Sequence, residues 1–426
     1  MRGRRASDIS VSIEEAIREG RLTPGAQLPT VRALADRLQV SPSTVSAAYR
    51  YLRQRGVIST HGRGGTRVHS RPPVEAPTVP PGNAGDAGLR EVGVAPLDTD
   101  LAQINRDALS DIVERRELDD EGQLEQRLAK DLDAVGVDST AVIALGSGRE
   151  ALARVLESHL LPGDRVGVEA PSCSEIRDVL SLGGLEPQPV AMDIGGMSPR
   201  SLSSVLPRCR ALIVTPRAHN PTGTAIDAAR ASELRTVLRT RPDVLVIEWD
   251  PASDMAGVEF HPVADPDFER WAHIRSYRDQ FAGQADLAAL AGDPVTTSRV
   301  KGRQLLSGTD LTPIARRFAL SVLDHPGSPH RTDAVARHLS TRRVMLMAAL
   351  RHRGIDSMGE SGPHVWIPAP DQEAAVAGMR DLGWNTIAGD RPDNHTTQGI
   401  RVAVETLDAT GGSRFADDLL EVLADL

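Results

Sequence analysis

The sequence predicts two folds in one chain: an N-terminal helix–turn–helix closed by a two-stranded wing, then a C-terminal α/β domain. The second part is expected to hold a large parallel sheet and a smaller α+β lobe. Three observations carry this. Residues 1–70 set three short helical patterns ahead of two β-branched runs. Residues 71–90 (RPPVEAPTVPPGNAGDAGLR) are rich in Pro, Gly and Ala and lack periodicity, as a linker does. From about residue 91, helical patterns alternate with short β-branched runs, the order of a parallel sheet covered by helices.

The elements follow in chain order. Ile9, Val11, Ile13, Ala16 and Ile17 have roughly helical spacing, and Gly20 followed by Pro24-Gly25 stops that helix. Thr30 caps a short helix, Val31 to Leu38. Gln39-Val40 makes the turn, Ser41 caps, and Pro42 opens a third helix that runs to Arg55 before Gly56. Residues 57–60 and 66–69 read as strands flanking His61-Gly62-Arg63-Gly64-Gly65, a flexible wing. Farther on, Ala141–Leu145, Arg165–Val168, Ala211–Val214 and Val244–Ile247 read as strands. A helix over Thr332–Arg353 and a strand over His364–Ile367 belong to the smaller lobe, about residues 325–426.

Charge divides along the chain. Residues 1–70 carry 12 Arg, no Lys and 5 Asp+Glu, a balance of +7; the whole chain is −9, which leaves −16 for the rest. A basic head on an acidic body predicts that the head meets a polyanion. No apolar run approaches a membrane span, and no apolar segment follows the basic Met1–Arg5, so a cytoplasmic protein with no membrane partner is expected. Cys173 and Cys209 have neither a disulfide framework nor metal-ligand spacing. Of 49 Lys+Arg, only Lys130 and Lys301 are lysine.

A helix–turn–helix lays its second helix in the major groove of double-stranded DNA. Here that helix and its cap offer Ser41, Ser43, Thr44, Ser46, Tyr49 and Arg50, whose hydroxyls and guanidinium suit phosphates and base edges. Arg32 on the preceding helix can clamp a phosphate or read guanine. His61, Gly62 and Arg63 on the wing suit a minor groove, and Arg4 and Arg5 add charge contacts. The stretch GRLTPGAQLPTVRALADRLQVSPSTVSAAYRYLRQRGVISTHGRGGTRV resembles the GntR winged-helix family. That resemblance places Arg32, Thr44, His61 and Gly62 at the family's DNA-contacting positions.

Residues 91–426 resemble type I aminotransferases of the MocR kind, regulators that fuse a GntR domain to such a fold. GSGREAL, LLPGDRVGVEAPS, TPRAHNPTGTAI, VLVIEWDPASD, HIRSYRDQFAGQADLAALAGDP and GIRVAVETL occur in the family's order. The resemblance implies pyridoxal phosphate, a homodimer and an inner pocket. Pyridoxal phosphate chemistry needs a lysine for the Schiff base and a carboxylate on the pyridinium nitrogen. The alignment puts Asp279 at the lysine position and Asp286 at a phosphate-binding arginine. Arg278 is the nearest cation, but a guanidinium stays protonated and forms no Schiff base. Trp249 falls at the pyridinium carboxylate, Pro251 at a tyrosine and Cys173 at the stacking aromatic. What remains is Ser147-Gly148-Arg149 at a helix start suited to an anion, Asn220 at the residue that bonds the ring oxygen, and Arg401 at the substrate-carboxylate arginine.

The expectation is therefore a sequence-specific DNA-binding regulator, not an enzyme, with no pyridoxal phosphate and a degenerate pocket open to another effector, such as a carboxylate at Arg401. A regulator that senses pyridoxal phosphate, an aminotransferase with a DNA-binding head, and an effector-blind DNA binder remain the alternatives.

Overall fold

A computed structural model describes residues 5–23, 25–54, 57–60, 65–68, 89–92, 99–114, 122–389 and 398–426. The chain falls into two compact units. In the first, α1 (Ala6–Arg18), α2 (Val31–Leu38) and α3 (Pro42–Gln54) precede β1 (Ile58–Thr60) and β2 (Thr66–Val68), an antiparallel pair. Ile9, Ile13, Leu34, Val45, Ala48 and Leu52 bury a common core. Val11, expected on the inner stripe of α1, is instead 51% exposed. It lies two residues from both Ile9 and Ile13, about 200° round a helix of 3.6 residues per turn. Thr30 caps α2 by accepting from the Ala33 amide at 3.2 Å, and Gln39 ends it in the left-handed conformation at φ 54°. The wing residues His61, Gly62 and Arg63, with Arg4 and most of the linker, lie outside the described residues.

The second unit holds the chain from residue 81 onward, except residues 160–165 and 177–187, which group with the first. β3 (Arg90–Glu91) precedes α4 (Thr99–Glu114), α5 (Gln123–Asp133), β4 (Val142–Leu145), α6 (Gly148–His159), β5 (Arg165–Ala170) and α7 (Ser174–Leu182). Then come β6 (Glu186–Asp193), β7 (Gly196–Met197), α8 (Pro199–Val205), β8 (Ala211–Val214), α9 (Ala228–Leu238), β9 (Leu245–Asp250), β10 (Trp271–Ser276) and β11 (Ala288–Gly292). The chain continues through α10 (Pro294–Ser307), α11 (Pro313–Leu323), α12 (Ser328–His352), β12 (His364–Pro368), α13 (Gln372–Asp381), β13 (Trp384–Asn385), β14 (Ile387–Ala388), β15 (Gly399–Ala403) and α14 (Ala409–Ala424).

The large sheet has the order β4-β11-β10-β9-β8-β5-β6-β7. It is mixed, which corrects the expected parallel sheet: β11 runs antiparallel to both β10 and β4. A parallel return needs a long crossover, usually a helix. Here only residues 277–287 join β10 to β11, and the Tyr277 amide donates to the Leu287 carbonyl at 2.9 Å across the base of that turn. Two antiparallel steps leave β4 parallel to β10, so the C-terminal ends of β4, β5, β8, β9 and β10 share one edge of the sheet.

The smaller lobe sets β12-β15-β14 beside α12, α13 and α14, around Leu346, Leu350, Met379, Trp384 and Phe415. Its sequence bounds are wider than expected. β3 pairs with β13, the Arg90 guanidinium lies 4.9 Å from the Trp384 ring centroid, and the Ala403 amide donates to Val92.

Candidate functional site: a recognition helix and a strand-end cleft

The DNA-binding surface follows from the way α3 is anchored. Its buried stripe is Val45, Ala48, Tyr49 and Leu52, the i, i+3, i+4, i+7 pattern of one helix face. Tyr49 is thus a correction to the expected contacts: it is 4% exposed, its hydroxyl donates to the Pro29 carbonyl at 2.8 Å, and burial pushes its pKa up to about 12 against a smaller opposing pull from Arg37. It fastens α3 to the segment before α2 and offers nothing to a ligand. Ser41, Ser43, Arg32 and Arg50 are exposed and Thr44 is half-buried. The Ser41 hydroxyl lies 2.7 Å from that of Ser43 and 2.8 Å from that of Thr44, and it accepts from the Thr44 amide at 3.2 Å. Three hydroxyls thus cluster at the N-terminus of α3, where backbone N–H groups favour phosphate. Tyr51, directly before Leu52 of the buried stripe, is 47% exposed.

The second candidate site lies at the shared strand ends, the edge where open α/β sheets place their ligands. Ser147, Gly148 and Arg149 follow β4; Cys173, buried, follows β5; Asn220 follows β8; Trp249 ends β9; Arg278 and Asp279 follow β10. Arg401 comes from β15 of the smaller lobe, and its Nη1 donates to Asn220 Oδ1 at 3.0 Å. Asp279 is exposed to solvent. Desolvation raises its pKa to about 6, with Arg278 pulling down and Asp286 and Glu175 pushing up. Arg149 stands 3.9 Å from Glu175 and Arg278 stands 3.4 Å from Asp286.

Three polar neighbours here were not foreseen. Burial raises Glu405 to about 7, with Asp279 adding to the rise and Arg401 and Arg342 opposing it. His364 is held well below the ordinary imidazole range by burial and by Arg401. Glu175 completes the set. Glu405 is only four residues beyond Arg401, but that spacing does not reveal its interaction with Asp279, which arises through tertiary folding.

β9 brings three large side chains to this end of the sheet. Trp249 is 4% exposed, and its ring lies against Gly148: a Cβ placed there would stand 2.7 Å from Cη2 and 3.0 Å from Cζ3. Gly148 is required for that approach. Strand residues alternate between faces, so the carboxylates on either side of Trp249 point to the opposite face of the sheet. Glu248 accepts from the Ala264 amide at 2.9 Å and lies 3.0 Å from His273 Nδ1. Asp250 receives Arg217 Nε at 3.0 Å and Nη2 at 2.8 Å. A one-residue shift of the alignment therefore brings no carboxylate to the position of Trp249.

At the start of α6, the Glu150 amide donates to Ser147 Oγ at 3.1 Å, and the Gly146 amide donates to Glu150 Oε2 at 3.1 Å. Lys130 on α5 and Lys301 on α10 are both exposed, and neither lies on the strand-end edge. In the alignment, an aspartate and an indole stand where covalently bound pyridoxal phosphate would need an amine and a carboxylate.

Residues 5–68 match the family model of bacterial regulatory proteins of the gntR family, and residues 117–247 match aminotransferase class I and II. The chain joins a gntR-type helix–turn–helix domain to an aminotransferase class I and II domain, the make-up of a transcriptional regulator with an aminotransferase-like domain. Over 429 residues it is 29% identical to the vitamin B6 salvage pathway transcriptional repressor PtsJ of Salmonella typhimurium, covering 99% of each chain. It is 28% identical over 262 residues to the HTH-type pyridoxine biosynthesis transcriptional regulator PdxR of Corynebacterium glutamicum, covering 58% of this chain and 57% of that one. In fold it is similar to a kynurenine aminotransferase of Pyrococcus horikoshii, with a TM-score of 0.72 and 17% identity over 80% of this chain and 92% of the other. This regulator has no helix among its described residues that is long and apolar enough to cross a membrane.

Proposed function

We propose that this regulator binds a two-part operator as a homodimer, and that its aminotransferase-like domain works without covalent pyridoxal phosphate and without transaminase activity. The domain serves as the dimerisation scaffold and as the reader of another small molecule, a carboxylate held by Arg401 beside Asn220. One observation supports the reading: both lysines of the chain are exposed on α5 and α10, and Asp279 is the residue that aligns with the Schiff-base lysine. An effector acts on transcription only if it binds the two arrangements of the winged helices unequally.

The names of the two relatives favour a second reading, in which the effector is a vitamin B6 compound bound without a covalent link. Footprinting on the promoter of the protein's own gene, at fixed salt, tests the first reading against it. Protein purified free of pyridoxal phosphate is expected to protect a two-part site, and added pyridoxal phosphate is expected to leave the affinity unchanged. Operator binding that appears or disappears with pyridoxal phosphate contradicts the first reading and supports the second.

A further inference from the structure

The indole of Trp249 spans two points that matter for a cofactor. It leaves β9 at the residue aligned with the pyridinium carboxylate, and its far edge rests on Gly148, in the strand-to-helix turn that would face a phosphate. A ring between those points takes up space between the positions that the alignment assigns to the pyridinium and phosphate partners. The packing is close: the ring is 4% exposed, and no side chain larger than that of Gly148 could accept it. At the phosphate end, two backbone donors already bond oxygens of this chain. One bonds the Ser147 hydroxyl, and the other bonds the Glu150 carboxylate, an anion supplied from within. At the ring end, Glu248 and Asp250 are held on the other face by His273 and Arg217.

We propose that the Trp249 ring and the Glu150 carboxylate stand in for the ring and the phosphate of the cofactor, so that the cleft is filled from within and excludes pyridine phosphates even as noncovalent ligands. Trp249 is then the specificity-determining residue of the cleft, and any effector is confined to the part lined by Asn220, Asp279, Arg401 and Glu405. This rests on the reading that no lysine adduct forms.

The test uses pyridoxine 5′-phosphate, which lacks the aldehyde and forms no Schiff base. Binding to the full-length protein is measured by calorimetry, with melting temperature as a second readout, for wild type, Trp249→Ala and Trp249→Phe. Wild type is expected to show no saturable binding. Trp249→Ala is expected to melt lower and to regain stability with the ligand, as a ligand does when it fills an engineered cavity, binding at least about tenfold tighter than wild type.

If Trp249→Ala does not fold, Trp249→Phe decides, because its smaller ring frees part of the space while keeping the packing. Saturable binding by wild type as tight as by the variants overturns the proposal. So does a folded variant that gains no affinity. A borohydride-reducible lysine adduct of wild type with pyridoxal phosphate instead overturns the underlying reading, so the two failures are distinguishable.

Discussion

Replacing Arg217 by methionine is expected to cost about 3–5 kcal/mol of stability, because it strands the Asp250 carboxylate in the interior. Arg217 is 3% exposed and Asp250 fully buried, and the guanidinium reaches both carboxylate oxygens while a third bond runs from Nη1 to the Val258 carbonyl at 3.2 Å. Burial alone would raise the pKa of Asp250. The charge and hydrogen bonds of Arg217, aided by Arg275 and His273, outweigh that and hold it below its ordinary value. A carboxylate with a lowered folded pKa contributes stability that is present above the ordinary aspartate value, near about 4, and lost as pH falls through the folded value. Without Arg217 only Arg275 and His273 oppose the desolvation, so Asp250 protonates more readily in the folded variant. Chemical denaturation of wild type and Arg217→Met should therefore show the full gap near neutral pH and a narrowing gap toward acid. A gap that widens toward acid would contradict this account. Replacing both partners, Arg217→Met with Asp250→Leu, should be less destabilising than the single change.

The second large effect is expected on DNA. Arg32→Ala and Thr44→Ala should each weaken binding to the operator by about 1–3 kcal/mol, about 5- to 150-fold, if each removes a base contact. Arg32 is exposed on α2, and Thr44 belongs to the hydroxyl cluster at the start of α3. A loss confined to phosphate contact at Arg32 would instead be uniform across sequences and would lower the salt slope by about one. Titrations at several fixed salt concentrations, on operator and on unrelated DNA, separate the two. Wild-type affinity in both variants would show that the winged helix meets DNA by other residues.

Much of the fold was legible because local signals and global packing agree. Thr30, the Ser41-Pro42 pair and the β-branched run Ala211–Val214 fixed α2, the start of α3 and β8 where the structure has them. The antiparallel β11 was not legible, since Ala288–Gly292 reads as a short apolar run in either direction. Its direction is set by the short connection 277–287. Tyr49 could have been read correctly: it completes the stripe of Val45, Ala48 and Leu52, and a tyrosine at such a position is a core residue with a polar tip.

At the strand-end cleft, the identities of Asp279, Trp249 and Arg401 were visible in the sequence. Three features were not: the rest of the indole against Gly148, the retreat of Asp250 to the far face, and the approach of Glu405 to Asp279. Each depends on face alternation or on contact between the two lobes, and no local pattern encodes either.

The central proposal, that this regulator works without covalent pyridoxal phosphate, is tested most directly by titrating the purified protein with pyridoxal phosphate in the visible absorption range, then reducing with borohydride and weighing the intact chain. The expected result is no Schiff-base band assignable to a specific site and no stoichiometric added mass. A saturable band with one reducible adduct, mapped to Lys130 or Lys301, would contradict the claim and make the protein a sensor of its fold family's own cofactor.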